Sequence, residues 1–421
     1  MSKSIVIKNV HIPKYNDDVD VLIEKKIISS ISEEEDGDLV IDGTGKYLIP
    51  GFVNTHTHAA MSLFRGYADD LTLQEWLNDN IWPLESKLTA RDVYWGTKLA
   101  CLEMIKSGTI AFNDMYFFME SAADAVREMG IKATLSYGLI DLGDRDKLEL
   151  EKQKTKDFIN YVKDFELIKP ALGPHSVYTV SQEGLSWCAK ISKKLDVPVH
   201  IHLAETESEM KDFKKEFPEY SNISDYLNET DLLNRRLLSA HCVWLEELDI
   251  INLGNSDGVV SHNPASNMKL GVGKPMNYEM MVENDVMVTL GTDGCASNNN
   301  LDMLESVKIA ALQQKLGGDP TLMTAEEAYD MITKNGALAL DTGGGVISEG
   351  MAADVILVDK GVRGTPGHNP ISDIVYSLQG GDVTDVIING RLVMRDRYVD
   401  GEEEIIKEST AIAKKLVKAV K

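Results

Sequence analysis

Tyr47-Leu48-Ile49-Pro50-Gly51-Phe52-Val53-Asn54-Thr55-His56-Thr57-His58 is the stretch that decides the fold. Its apolar part reads as a buried strand, and two histidines follow directly. Successive strand residues face opposite ways, so His56 and His58 point the same way at the strand's end. Two imidazoles on one face supply half of a metal site. The other half has to come from residues that end later strands.

Working outward, residues 51–345 switch between β-rich and helical runs. The strand at 109–113 precedes a helix-like segment at 121–129, and the strand at 132–137 precedes a charged helix near 145–165. Later strands fall at 168–173, 197–203, 237–240, 258–261 and 286–290. This β-then-α alternation, repeated about eight times, is the pattern of an α/β fold of the (β/α)8 TIM type. An open doubly wound sheet is the competing arrangement; the repeat number and the histidine positions favour the barrel. Residues 1–50 instead hold short strands, and residues 346–421 return to them at 353–358 and 383–388. Asn389-Gly390 before Leu392-Val393-Met394 is a hairpin signal. A terminal amphipathic helix is expected over 402–420. The simplest assembly is one small β-sandwich built from residues 1–50 plus 346–421, with the barrel of 51–345 inserted and Gly343-Gly344-Gly345 as the return turn.

The composition excludes several functions. A formal net charge of −24 repels phosphate backbones and anionic lipid, which argues against nucleic acid and membrane as partners. The four cysteines form no C-x-x-C pair, so a zinc knuckle, a redox motif and a disulfide framework are all disfavoured, and reduced thiols are expected. The first residues read as a strand rather than a leader, and no run approaches the ~20 apolar residues of a membrane helix. A cytoplasmic protein is the expectation. Gly271-Val272-Gly273-Lys274 lacks the spacing of a P-loop, and the H-x-E with P-C-x-x-C and H-E-x-x-H zinc signatures are absent.

Barrel enzymes carry their working groups at the C-terminal ends of strands. His56, His58, His202, His241 and Asp293 all lie there. Singly, each has a plain alternative: a hydrogen-bonded structural histidine, or an aspartate capping a helix. Jointly they are more telling, since these are four of only nine histidines in the chain.

The pattern His-x-His after the first strand, His after the fifth, His after the sixth and Asp after the eighth resembles the amidohydrolase superfamily over essentially the whole chain. His200-Ile201-His202-Leu203-Ala204-Glu205, Ser261-His262-Asn263-Pro264-Ala265-Ser266-Asn267-Met268-Lys269-Leu270 and Gly291-Thr292-Asp293-Gly294-Cys295-Ala296-Ser297-Asn298-Asn299 are similar to the branch that deaminates S-adenosylhomocysteine, 5′-methylthioadenosine and 5′-deoxyadenosine. Binuclear members carry a carboxylated lysine ending the fourth strand. Here that strand ends Ala171-Leu172-Gly173-Pro174-His175, so the resemblance implies one divalent metal, held by His56, His58, His202 and Asp293. Zn²⁺ suits such a set; Fe²⁺ or Mn²⁺ would also fit.

The implied reaction replaces the 6-amino group of an adenine nucleoside by oxygen. A bound zinc ion lowers the pKa of water to about 7 and so supplies the nucleophile. Attack at C6 puts charge on ring N1, and the resemblance gives Glu205 the role of protonating it. His241 would orient or deprotonate the attacking water. Asp293, ligand and base, would pass a proton to the departing amine. His200 shares a face with His202, but the family spacing puts the glutamate three residues after the ligand, so His200 is read as packed behind it.

Substrate contacts follow the same resemblance. Glu85 would accept hydrogen bonds from ribose hydroxyls, His175 would touch purine or sugar, and Trp76 would cover the ring. Homocysteine-binding members use two arginines around the third strand. Lys132-Ala133-Thr134-Leu135-Ser136-Tyr137-Gly138 has none after the strand, and Arg145 is the one nearby candidate for the second. That departure favours uncharged 5′ substituents such as methylthio or deoxy. Guanine deaminase, cytosine deaminase and triazine chlorohydrolase share the metal pattern and are the rival activities; a non-catalytic scaffold is the rival of another class. Family members assemble as homo-oligomers, which is the expectation here. Cys295, two residues past Asp293, is expected to make the enzyme sensitive to thiol alkylation.

Overall fold

The computed structural model describes residues 4–72 and 75–420. Four short strands come first: β1 (Ile5–Val10), β2 (Val19–Glu24), β3 (Ile27–Ser32) and β4 (Leu39–Asp42). β5 (Lys46–Pro50) then leads through Gly51 into β6 (Phe52–Thr57). Gly51 is needed because a Cβ there would sit 2.2 Å from Ile110 Cγ2.

From β6 the chain winds through β7 (Thr109–Tyr116), β8 (Lys132–Leu139), β9 (Ile168–Pro174), β10 (Val199–Leu203), β11 (Leu237–His241), β12 (Val259–His262) and β13 (Met287–Leu290). These eight strands form one parallel sheet in chain order, with helices between them, nearly closed into a TIM barrel. Such strands are covered on both faces, which is why β7 is buried along its entire length, Asn113 and Asp114 included.

No backbone ladder joins β13 to β6 among the described residues; side chains and loop amides tie that seam. Thr55 Oγ1 donates to Leu290 O at 3.0 Å, Asn54 Oδ1 accepts from the Thr292 amide at 3.0 Å, and the Asp293 amide donates to His56 O at 2.9 Å. β6 is also irregular. Its register against β7 moves from Asn54–Phe112 to Thr57–Asp114, three steps against two, which is a bulge. Simple alternation would face Thr55 away from His56. Instead Thr55 Oγ1 meets Ser261 Oγ at 2.7 Å and Thr289 Oγ1 at 2.8 Å, while His56 meets His200.

After the barrel come β14 (Val355–Asp359), β15 (Val383–Ile388) and β16 (Arg391–Met394). β5 pairs antiparallel with β14, Leu48 opposite Leu357, so the two ends of the chain share one sheet, β16-β15-β14-β5. The second sheet, β3-β2-β1-β4, is drawn from the N-terminal segment alone. Ile7, Val21, Ile23, Leu48, Leu357 and Ile387 form an apolar core that spans both sheets. Asn389 at φ 53° and Gly390 at φ 71° give the hairpin its two left-handed turn residues. The last helix, Glu402–Val420, leaves these sheets and lies against the barrel helix Ala90–Lys106, where Ser409 Oγ donates to Trp95 O at 3.0 Å. No helix among the described residues is long and apolar enough to cross a membrane.

Candidate active site

His56 and His58 leave the end of β6, His202 lies on β10, His241 ends β11, and Asp293 follows β13. Nitrogens of His56, His58 and His202 lie within 4.8 Å of one another, as do the ligand atoms of His56, His241 and Asp293. His58 Nε2 and His202 Nε2 are 3.1 Å apart, and Asp293 Oδ1 is 3.4 Å from both His56 Nε2 and His58 Nε2. A tetrahedral ion with bonds of about 2.0–2.1 Å sets its ligand atoms about 3.3–3.4 Å apart.

The hydrogen bonds behind the rings decide what those nitrogens carry. His58 Nδ1 lies 2.7 Å from Met115 O, and His202 Nδ1 lies 2.7 Å from His175 O. A carbonyl oxygen only accepts, so each Nδ1 holds a proton, and in the neutral form each ring turns a lone pair on Nε2 toward the other. Two lone pairs facing at 3.1 Å repel; a cation between them removes the conflict. His56 Nε2 is buried and has no hydrogen-bond partner, while its Nδ1 is 2.7 Å from His200 Nε2. His200 therefore buttresses His56 from behind. The donor set fits a divalent metal.

Asp293 is built for ionised service. Its Oδ2 accepts from Ser266 Oγ at 2.6 Å and Ser297 Oγ at 2.9 Å, and its Oδ1 accepts from the Gly294 amide at 2.7 Å. Burial opposes the charge, yet the His56, His58 and His241 rings hold the carboxyl well below its ordinary range. Burial, against the pull of Asp293, pushes His56 down to about 4, and burial chiefly takes His202 well below the usual imidazole range, so both are neutral.

Glu205 and His241 sit beside this cluster. Burial raises the Glu205 carboxyl above its usual range, opposed by His241. His241 is drawn the other way: burial disfavours its proton, but the Glu205 and Asp293 carboxylates raise it overall. Glu205 Oε1 is 3.8 Å from His241 Nδ1, which also lies 2.8 Å from Asn267 Oδ1. The cap of the next helix, Glu207–Glu216, is Thr206, so Glu205 is not spent as a helix cap.

These residues lie at the floor of a cavity of about 790 Å³, counting its open mouth. Its lining includes His58, Trp76, Glu85, Tyr116, Phe117, Ile140, His175, His202, Glu205, His241 and Asp293. Glu85 ends the short helix Trp82–Glu85; Tyr116, at the end of β7, donates its hydroxyl to Glu85 Oε1 at 2.7 Å. Burial raises the Glu85 carboxyl. Trp76 opens the π-helical turn Trp76–Ile81, is buried, and its Nε1 has no partner among the described residues. His175 lends its carbonyl to His202, and its own ring is pushed by burial down to about 3.

Arg145 does not reach this cavity. Its side chain is 90% exposed and stands 3.9 Å from Glu183 at the start of the helix Arg145–Val162. Asp144 caps that helix, and residue 145 falls on its outer side. The same helix instead sends Lys147, Glu151 and Lys154 into an adjoining chamber that shares Glu85, Phe117 and Ile140 with the first. Cys295 is fully buried and burial pushes its thiol up, so the expected reactivity to alkylation does not follow. Sequence reasoning passed over Tyr116, Asn267, Ser266 and Ser297. Of these only Tyr116 carried a signal, since a polar tip ending an apolar strand faces the barrel mouth.

The Amidohydrolase family model matches residues 47–393. The chain is 49% identical to a 5′-deoxyadenosine deaminase of Methanoregula boonei, covering 99% of this chain and 96% of the relative. It is 48% identical to 5-methylthioadenosine/S-adenosylhomocysteine deaminase 1 of Archaeoglobus fulgidus, covering 98% and 99%. Among solved structures, a zinc-bound adenosine deaminase from Xanthomonas campestris superposes with a TM-score of 0.93 at 28% identity, covering 98% of both chains. The matched span begins at β5 and runs through every residue of the metal cluster to β16, and the chain belongs to the amidohydrolase family.

Proposed function

We propose that this protein is a metal-dependent hydrolase that removes the 6-amino group of 5′-modified adenosines, releasing ammonia and the inosine analogue. The observation that carries the reading is the convergence of His58, His202, Asp293, Glu205 and His241 on one cavity whose wall holds Glu85, with the buried His56 in the same cluster. The names of the relatives agree with it. Three nitrogens and one carboxylate suit Zn²⁺, as bound in the Xanthomonas neighbour; Fe²⁺ or Mn²⁺ would suit the same donors.

A divalent ion at His56, His58, His202 and Asp293 supplies the Lewis acidity that makes water a competent nucleophile near neutral pH. The remaining work belongs to side chains. Glu205, whose carboxyl burial raises above its usual range, donates to ring N1 as the new C6–O bond forms. His241, held through Nδ1 by Asn267, orients the attacking water and takes its proton. Asp293, ionised, takes the proton of the new C6 hydroxyl and passes it to the amino group; the C6–N bond breaks, ammonia leaves, and C6 is left as the carbonyl of the inosine analogue. Glu85 accepts from the ribose hydroxyls. Trp76 Nε1, buried and without a partner among the described residues, offers its hydrogen to an acceptor on the bound nucleoside.

The adjoining chamber supports a choice of 5′ substituent. Glu85, Glu120, Glu151 and Asp157 line it against two lysines, Lys147 and Lys154. Lys154 Nζ is already engaged, 2.9 Å from Glu151 Oε1 and 3.1 Å from Tyr137 Oη. A carboxylate-bearing tail meets more like charge than unlike there. Deoxy and methylthio groups are the better fit, and S-adenosylhomocysteine the poorer.

The test is ammonia release from adenosine, 5′-deoxyadenosine, 5′-methylthioadenosine, S-adenosylhomocysteine, adenine and guanine. Chelation followed by readdition of Zn²⁺, Fe²⁺ or Mn²⁺ supplies the second arm. The expected result is chelator-sensitive, metal-restored turnover confined to adenine nucleosides, with the first three ahead of S-adenosylhomocysteine. Turnover that survives complete metal removal, or a preference for guanine, overturns the reading.

A further inference from the structure

Glu209 sits one helical turn beyond Glu205 and does not behave as its local sequence predicts. Thr206-Glu207-Ser208-Glu209 is a capping-box sequence, in which the fourth side chain returns to the amide of the first residue. Thr206 keeps its half: its Oγ1 accepts from the Glu209 amide at 3.2 Å. The Glu209 carboxylate reaches past the cap instead. Its Oε1 accepts from the Ala204 amide at 2.9 Å, and its Oε2 accepts from the Glu205 amide at 2.8 Å.

What it grips is a strained corner. Ala204 adopts φ 50°, in the left-handed region that a Cβ disfavours. Its carbonyl is held as well, accepting from the Trp244 amide at 2.8 Å. With both polar groups of Ala204 fixed, the chain leaves β10 in a single direction, and that direction delivers the Glu205 side chain into the cavity.

Glu209 is itself buried. The groups facing it are Glu205, the His241 ring, the Tyr178 hydroxyl and the Cys242 thiol. Burial first, and then the neighbouring Glu205 carboxylate, push Glu209 up to about 7, while the two amides pull the other way.

We propose that Glu209 is a positioning residue that aims Glu205 at the reacting ring and, by its own charge, disfavours a second negative charge on Glu205. This rests on the reading of Glu205 as the proton donor. A helix-capping residue alone would not need to reach the two amides that set the direction of another carboxylate.

Glu209→Gln, made alone and in a Glu205→Gln background, tests this in the metal-loaded enzyme with 5′-deoxyadenosine. Alone, it is expected to lower kcat about 10- to 100-fold, with KM within about threefold and metal content unchanged. The alkaline limb of kcat should move to lower pH by about half a unit or more, since Glu205 loses its proton more easily once the neighbouring charge is gone. In the Glu205→Gln background the further loss should be under about threefold, because Glu209 acts only through Glu205. Losses that multiply across the two backgrounds overturn the proposal. Glu209→Asp keeps the charge but is too short to span both amides. It should lower kcat with the alkaline limb in place; a limb displaced as far as in Glu209→Gln refutes the role of charge. If Glu209→Gln does not fold, Glu209→Asp alone decides the positioning role, and unchanged kcat there overturns it. A parent enzyme inactive on every adenine nucleoside would refute the deaminase reading itself. An active parent with multiplying losses refutes only the role of Glu209.

Discussion

Replacing Glu85 by glutamine separates a ribose-binding role from a structural one. The Tyr116 hydroxyl donates to Oε1 at 2.7 Å, so Oε2 is the oxygen a ribose diol would meet. Glutamine keeps an oxygen for Tyr116 and presents an NH₂ to the diol, which can accept nothing. A hydrogen bond to a charged group contributes about 1.5–3 kcal/mol and a neutral one about 0.5–1.5 kcal/mol. The change therefore costs about 1 kcal/mol per hydroxyl, or about 2 kcal/mol for the diol, equivalent to about 30-fold in kcat/KM. The assay is ammonia release from adenosine and from 2′,3′-dideoxyadenosine, compared in parent and variant. The parent should prefer adenosine by more than about 100-fold, since two charge-assisted bonds contribute about 3–6 kcal/mol, and Glu85→Gln should lower that preference about 30-fold while leaving the dideoxy substrate nearly untouched. Equal losses on both substrates would show that Glu85 acts on the cavity wall, through Tyr116, and not on the sugar. Burial raises the Glu85 carboxyl, so the parent's preference should also fade as pH falls through its titration, and the variant's should not.

Glu205→Gln should retain the full complement of metal yet lose deamination by about 10²–10⁴-fold, while Asp293→Asn should lose turnover with the fold intact by circular dichroism; metal loss in the first variant or activity in the second contradicts their roles. All four cysteines are buried, and burial raises each thiol, so alkylation of the native protein should leave activity unchanged and label the chain only after unfolding. His262 is fully buried, neither ring nitrogen has a hydrogen-bond partner, and burial pushes its titration down to about 3. The unfolded chain takes up this proton below about 6.5, so the titration of His262 leaves stability unchanged above that pH and costs about 2 kcal/mol by pH 5. The difference in denaturation free energy between parent and His262→Gln should accordingly change by about that amount between pH 7 and pH 5, and a constant difference refutes the argument.

The barrel was legible because its strands are covered on both faces, leaving apolar runs that stop at a histidine or an aspartate. The site was legible at strand ends for the same reason, since alternation places His202 beside His200 and the helix boundary places Glu205 beyond both. Alternation failed where β6 bulges: one extra residue turns Thr55 into the seam with Ser261 and Thr289, and nothing in Asn54-Thr55-His56 announces it. Arg145 was misplaced by reasoning from nearness in sequence. Helical spacing would have corrected it, for Lys147, Glu151 and Lys154 recur at intervals of four and three on one face and Arg145 does not share it. Cys295 repeats the lesson, since two residues from Asp293 in sequence it is packed away from the cavity. Glu205 was assigned by resemblance. Its immediate surroundings in the sequence are those of an ordinary first-turn acid, and only the reach of Glu209 past Thr206 marks it as different.

The strand ends also explain how the rim keeps the candidate ligands together. Ala204 (φ 50°), His241 (φ 71°), Cys242 (φ 52°) and Asp293 (φ 63°) all adopt left-handed backbone without being glycine. Each such residue costs about 1–3 kcal/mol and persists only where its surroundings over-determine it. Glycine would relieve the strain at His241 and Asp293 but would delete the working side chain. The restraint comes from ties between neighbouring strand ends: the Cys242 amide to Leu203 O at 2.9 Å, the Trp244 amide to Ala204 O at 2.8 Å, and the Asp293 amide to His56 O at 2.9 Å. These bonds belong to the barrel rim and owe nothing to a ligand. They hold the Nε2 atoms of His58 and His202 3.1 Å apart, close to the spacing at which two nitrogens ligate one cation. A rim loosened at any of these ties would bind metal less well even with every ligand in place.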